Sequence, residues 1–164
     1  MQLAVRIVAA FLGFAALSVA QAATTVLTNF TLIDGTGRAP VPNASLIFEN
    51  GRISWVGPRS SLKQPSGATV VDLGGKFVIP GLIDNHVHLG LVHDLTQDIN
   101  FYSRELVEQQ LRIYAAYGVT AVQVLGTDTD VIFDIRADQR RTQPDVARVY
   151  TSGQGLVFKS SYGG

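Results

Sequence analysis

The stretch Val78-Ile79-Pro80-Gly81-Leu82-Ile83-Asp84-Asn85-His86-Val87-His88-Leu89-Gly90 constrains this chain more than any other. An apolar run meets a Pro-Gly break, restarts at Leu82-Ile83 and ends in two histidines separated by one residue. Side chains of a strand alternate between faces, so residues i and i+2 point the same way. Leu82 to Leu89 therefore predicts a strand that projects His86 and His88 side by side from one face, where both imidazoles can converge on one metal ion. Val87 turns the other way, into apolar packing. The apolar density predicts a parallel strand buried on both faces. The chain has no cysteine, so disulfides and thiolate sites are excluded, and any metal is held by His, Asp, Glu or a modified Lys.

Upstream, Thr25 to Ile33 is β-prone and Asp34-Gly35-Thr36-Gly37 is a turn cluster. Ala44 to Glu49 and Arg52 to Gly57 flank Asn50-Gly51, which suits the two positive φ angles of a type I′ hairpin. Thr69 to Leu73 reads as a further strand, turned by Gly74-Gly75 into Lys76 to Ile79. This region predicts a small antiparallel sheet, too small for a complete sandwich, with Trp55 and Phe48 as its filling. Downstream the period changes. Ser103 is placed to cap a helix, with Glu105 and Glu108 in its first turn, a largely apolar stripe of Leu106, Gln110, Leu111, Ile113, Tyr114 and Tyr117, and Gly118 as its stop. Val119 to Leu125 is a β-branched strand, Asp130 to Gln139 a shorter helix broken by Pro144, and Val146 to Tyr150 a third strand. The order β-α-β-α-β predicts parallel strands joined by helical crossovers.

The chain has 164 residues, an apolar share of 46% and a formal net charge of zero, which suits one globular domain or a small domain plus part of another. Without a Lys/Arg cluster, nucleic acid is not expected as a partner. Met1 to Arg6, apolar Ile7 to Val19 and Ala20-Gln21-Ala22 form an export signal pattern, with cleavage expected after Ala22 and a secreted or periplasmic product. The apolar run is too short for a comfortable membrane span, and no basic flank follows. The division expected is a signal peptide over 1–22, a partial β-sandwich over 23–79 and the start of a barrel over 80–164.

An arbitrary His-x-His on a strand is as often two hydrogen-bonded histidines as a metal site. Here the pair lies at the C-terminal end of the first parallel strand, the end where barrel active sites form, and Gly90 turns the backbone away at once. Zinc-bound histidines each need an outer partner to fix their tautomer. His93, five residues past His88, lies where substrate contacts arise, although an exposed loop histidine is the commoner outcome. Asp84 shares a face with the pair and reads as a structural polar residue. Gly126-Thr127-Asp128 either lines a pocket or caps the next helix, and the glycines of Ser152-Gly153-Gln154-Gly155 relax a loop.

Val78 to His88 resembles the first barrel strand of the amidohydrolase superfamily, in its imidazolonepropionase-like and dipeptidase-like branch. Asn29 to Gly37, the Asn50-Gly51 hairpin and Asp72-Leu73-Gly74-Gly75-Lys76 are similar to the N-terminal β-sandwich segment of that family. Tyr117-Gly118-Val119-Thr120-Ala121-Val122 is similar to its second barrel strand. The resemblance implies an α/β fold with a small β-sheet domain, namely a partial sandwich followed by the first three strands of a TIM-type (β/α)8 barrel. It implies a site of one or two divalent metals, zinc above all, with His86 and His88 on the more buried one. It also implies hydrolysis of a carbon–nitrogen bond in an amide, a lactam or a small dipeptide by a metal-activated water. The family completes the site with a carboxylated Lys or Glu on strand four, histidines on strands five and six, and an Asp on strand eight that moves the proton. A whole barrel takes roughly 250 residues, and the chain from Gly81 offers about a third of that. Lys159, in a Gly/Ser-rich tail, is poorly placed to bridge two metals. The expectation is an N-terminal fragment, inactive alone, whose apolar faces are covered by an oligomeric partner or a missing C-terminal part. The alternative is a non-catalytic truncated remnant without a functional metal site. A small binding module built on His86 and His88 is short of ligands.

Overall fold

β1 (Thr25–Leu32) is the centre of the first sheet. The computed structural model describes residues 24–142, 144–156 and 158; the expected signal peptide and Lys159 lie outside the described residues. The fold is mixed α/β and mostly strand. β2 (Val41–Glu49) pairs antiparallel with β1, and β3 (Arg52–Pro58) antiparallel with β2. Asn50 and Gly51, at φ 51° and 72°, make the tight hairpin that Asn-Gly predicts.

The rest of this sheet departs from expectation. β4 (Thr69–Asp72) and β5 (Phe77–Val78) both run parallel to β1 along the same edge, so the sheet is mixed, and Gly74-Gly75 does not reverse the chain. The reason is local. The Lys76 amide donates to the Leu73 carbonyl at 2.8 Å, closing a turn, while Asp72 Oδ1 accepts from the Gly74 amide at 2.7 Å and from Asn29 Nδ2 at 3.1 Å. Asn29 itself has φ 61° and shifts the β1 register. Two irregularities therefore face each other and are stitched together, and the strand resumes in its original direction. The packing centre is Phe30, Ala44 and Leu46, with Leu27, Val41 and Val78 against it. Phe48 is exposed instead of filling the sheet, and Trp55 lies over Gly57, where a Cβ would come within 3.0 Å of its ring.

The second sheet begins with β6 (Leu82–Val87). A short hairpin of β7 (Val92–His93) and β8 (Thr96–Gln97) follows, then α1 (Arg104–Ala116), β9 (Val119–Gly126), α2 (Val131–Arg141) and β10 (Arg148–Gln154). The strand order is β10-β9-β6, all parallel, as alternating strands and helices require. Val87 and Leu89 pack with Val122, Val124 and Val149 against Val107 and Leu111 of α1 and Ile132 and Ile135 of α2. The Ser103 hydroxyl caps α1 by accepting from the Leu106 amide at 3.2 Å. The buried stripe of α1 runs through Val107 and Leu111, while Ile113 and Tyr117 are exposed, a shift of face from the expected stripe. Asp130 precedes α2 without a side-chain cap, and Ser152-Gly153 belongs to β10 instead of a loop.

β6 is not buried on both faces: Leu82 and Ile83 are 52% and 65% exposed. Among the described residues it pairs only with β9, and the helices cover only the face that Val87 joins. Gly81 is required by close approach, since a Cβ there would lie 2.2 Å from Thr120 Oγ1, which donates to the Leu82 carbonyl. Among the described residues no helix is long and apolar enough to cross a membrane.

Candidate metal site

β6 carries His86 within the strand and His88 one residue beyond its end. The alternation persists past that end: Val87 and Leu89 enter the core while both imidazoles stay exposed. Their ring centres stand 5.3 Å apart with planes at 79°. An imidazole bound through nitrogen puts its ring centre roughly 3 Å from a zinc ion, so two on a tetrahedral ion stand about 5 Å apart. The pair fits that requirement as found. A divalent ion takes more donors than two, and among the described residues no group of three His, Asp or Glu could hold one.

The outer partners differ between the two histidines. His88 Nδ1 is 3.0 Å from Thr127 Oγ1, just past the end of β9, which leaves Nε2 as the nitrogen open to a metal. The His86 backbone amide donates to Asp84 Oδ1 at 3.1 Å, so Asp84 shapes the strand end, as a structural polar residue does. His93 does not join the pair. It sits exposed on the β7–β8 hairpin, with its ring 5.8 Å from that of Phe101 and Nδ1 3.4 Å from the Asp94 carboxylate.

Beside Thr127 lies a residue whose partners sequence reasoning missed. Asp128 is 4% exposed and is not the helix cap. Its Oδ1 accepts from the Tyr102 hydroxyl at 2.8 Å, and its Oδ2 accepts from the Thr151 hydroxyl. The Thr151 oxygen in turn accepts from the Gly153 amide at 2.8 Å, so its own proton goes to Asp128. Burial raises the Asp128 carboxyl above the ordinary carboxylate range, against the pull of the two hydroxyls and of His88. Burial, then the bond to Asp128, pushes the Tyr102 phenol far up. A strand-end Thr-Asp is a visible signal, but Tyr102 and Thr151 are 26 and 23 residues from Asp128 and share no motif with it.

A cavity of about 840 Å³ lies at the other end of the parallel sheet, lined by Arg52, Thr120, Arg140, Arg141 and Arg148. Thr120 and Arg148 stand at the starts of their strands, whereas the histidines stand at the finish.

A comparison with protein-family profiles returns no match. Imidazolonepropionase from Cereibacter sphaeroides is 34% identical over 134 residues, which are 81% of this chain and 32% of that protein. The solved structure of molinate hydrolase is 26% identical with a TM-score of 0.68, over 81% of this chain and 30% of that one. Phenylurea hydrolase B is 30% identical with a TM-score of 0.68, over 80% of this chain and 31% of that one. The chain thus spans about a third of the length of the proteins it matches. Sequence likeness and shared architecture over four-fifths of its residues agree: the chain belongs to the amidohydrolase superfamily.

Proposed function

We propose that His86 and His88 are two ligands of a divalent metal, zinc first, in a hydrolase that cleaves a carbon–nitrogen bond. The observation that carries this reading is the exposed imidazole pair, 5.3 Å apart, at the C-terminal end of a parallel strand, with one Nδ1 already engaged. A bound divalent ion supplies Lewis acidity toward a carbonyl and lowers the pKa of a water. This chain's part is to present Nε2 of His88 and a nitrogen of His86 on one side, to hold the His88 tautomer through Thr127, and to anchor both on a buried strand end. Two of the similar proteins, imidazolonepropionase and phenylurea hydrolase B, favour a lactam-like or urea-like substrate for the whole protein.

The finer architecture belongs to the same proposal. Residues 23–79 form part of a β-sandwich, and β6, β9 and β10 are the first three strands of a (β/α)8 barrel. The exposure of Leu82 and Ile83 supports this, because in a closed barrel such residues meet further strands and helices. The remaining ligands then lie on elements beyond β10.

Cobalt(II) titration of the chain, followed by its visible spectrum, tests the ligand assignment. His86→Ala and His88→Ala are each expected to weaken binding at least about tenfold, and His93→Ala to leave it unchanged. Loss in His93→Ala equal to that in His88→Ala would falsify the pairing. Hydrolysis of a lactam, an arylurea or an Xaa-Pro dipeptide by this chain alone is expected to be absent. Turnover that depends on His86 would show that two imidazoles suffice.

A further inference from the structure

Three strand ends meet around one buried carboxylate. β9 ends in Gly126 and leads into Thr127-Asp128, β10 contributes Thr151, and the chain leaving β6 turns at Gly90 against the ring of Tyr102. That last contact is close. Gly90 has φ 73°, and a Cβ there would lie 2.7 Å from Tyr102 Cδ2, so the ring is seated on the backbone two residues after His88. The same tyrosine donates its hydroxyl to Asp128 Oδ1, and Thr151 donates to Oδ2, so each carboxylate oxygen serves a different neighbour. Asp128 makes no bond to His88; the adjacent Thr127 does, through Oγ1 on Nδ1.

We propose that Asp128 and Tyr102 are positioning residues for His88: together they hold the turn bearing Thr127 and the turn bearing His88 at a fixed separation, so that Thr127 keeps His88 in the tautomer with Nε2 free. This rests on the reading of His88 as a ligand. The turn after β9 is already tied to β10 through its backbone: the Gly155 amide donates to the Gly126 carbonyl at 2.8 Å, and the Gly126 amide to Ser152 Oγ at 3.2 Å. Losing the carboxylate therefore leaves β9 and β10 joined. What it removes is the directed bond from Asp128 to the tyrosine seated on Gly90, leaving the Tyr102 hydroxyl only its contact with the Thr129 backbone among the described residues. Among the described residues this buried carboxylate bonds to two hydroxyls and to no Lys or Arg, which makes it a poor device for stability alone. It is a good device for alignment, since two directed bonds fix its orientation.

The test uses the metal-free chain with ¹⁵N-labelled histidine, at about pH 8 where an ordinary imidazole is neutral. Its companion is zinc affinity by competition with a chromophoric chelator. Native His88 is expected to show one tautomer, protonated at Nδ1. Tyr102→Phe, which removes one oxygen and keeps the ring on Gly90, and Asp128→Asn are expected to mix the tautomers and weaken zinc about 10- to 100-fold. Thr127→Val should do the same and Thr127→Ser should restore both readouts. Unchanged His88 signals and unchanged zinc affinity in Tyr102→Phe and Asp128→Asn overturn the proposal. If Asp128→Asn does not fold by circular dichroism, Tyr102→Phe decides alone. If the native chain takes up no zinc, the ligand reading fails, while the tautomer comparison still decides the clamp.

Discussion

A carboxylate buried to 4% exposure loses several kcal/mol of hydration unless donors replace the water. At Asp128 the donors are Tyr102 and Thr151, which bring hydrogen bonds but no positive charge, so burial prevails and the carboxyl is held above its ordinary range. Asp34 shows the opposite balance. Its carboxylate accepts from the Thr36 hydroxyl at 2.6 Å, from the Thr36 amide at 3.0 Å and from Arg38, and these bonds hold its pKa at about 2 against an ordinary 3.8. The folded value lies below the unfolded one, so the turn contributes stability above pH 3.8 that is lost as the pH falls towards 2. Asp34→Asn is therefore expected to lower the thermal midpoint at about pH 5 and to match the native chain at about pH 2, with a gap that shrinks in salt. A gap of equal size at both pH values would count against this account. At this scale the sequence revealed what parity and local order dictate. His86 and His88 share a side because a period of two requires it, and Asp34 faces a turn two residues away. Asp128 was visible only as one of two possibilities, since folding alone brings Tyr102 and Thr151 to it.

Gln139 does for the elements what Asp128 does for the site. It is buried on α2, donates from Nε2 to the Ala147 carbonyl at 3.0 Å and accepts from the Val149 amide at 2.9 Å. One side chain thus registers α2 against β10 by satisfying two backbone groups in the core. Gln139→Ala strands both, at a cost on the order of 1–3 kcal/mol each, and urea unfolding should show the loss as a lower midpoint. Arg140→Ala, one residue on and exposed, should change stability by less than about 0.5 kcal/mol. Equal midpoints for the two variants would contradict the role given to Gln139. The helices and parallel strands were legible because their periods, the Ser103 cap and the Gly118 stop are local signals. The parallel course of β4 and β5 was not, because Gly-Gly announces a turn without its direction. That direction depends on Asp72 reaching Asn29, 43 residues away. The face of α1 was misjudged for a related reason: both Leu111 and Ile113 are apolar, and only the sheet beneath chooses between them.

Across the molecule, large apolar side chains are exposed on both sheets, four of them where the sheets adjoin in sequence. Those four, Phe77, Ile79, Leu82 and Ile83, are 69%, 52%, 52% and 65% exposed. The chain spans about a third of the length of the relatives it matches and carries two imidazoles, ring centres 5.3 Å apart, at a strand end. Under the proposal, ligands and loops outside β6, β9 and β10 complete the site, and these residues contribute the imidazole pair. What they do commit to is the pairing of His86 with His88. X-ray absorption at the zinc edge of the loaded chain measures it directly. Two imidazole nitrogens are expected at about 2.0–2.1 Å in the native chain and one in His86→Ala or in His88→Ala. An imidazole count that does not fall in either variant would contradict it.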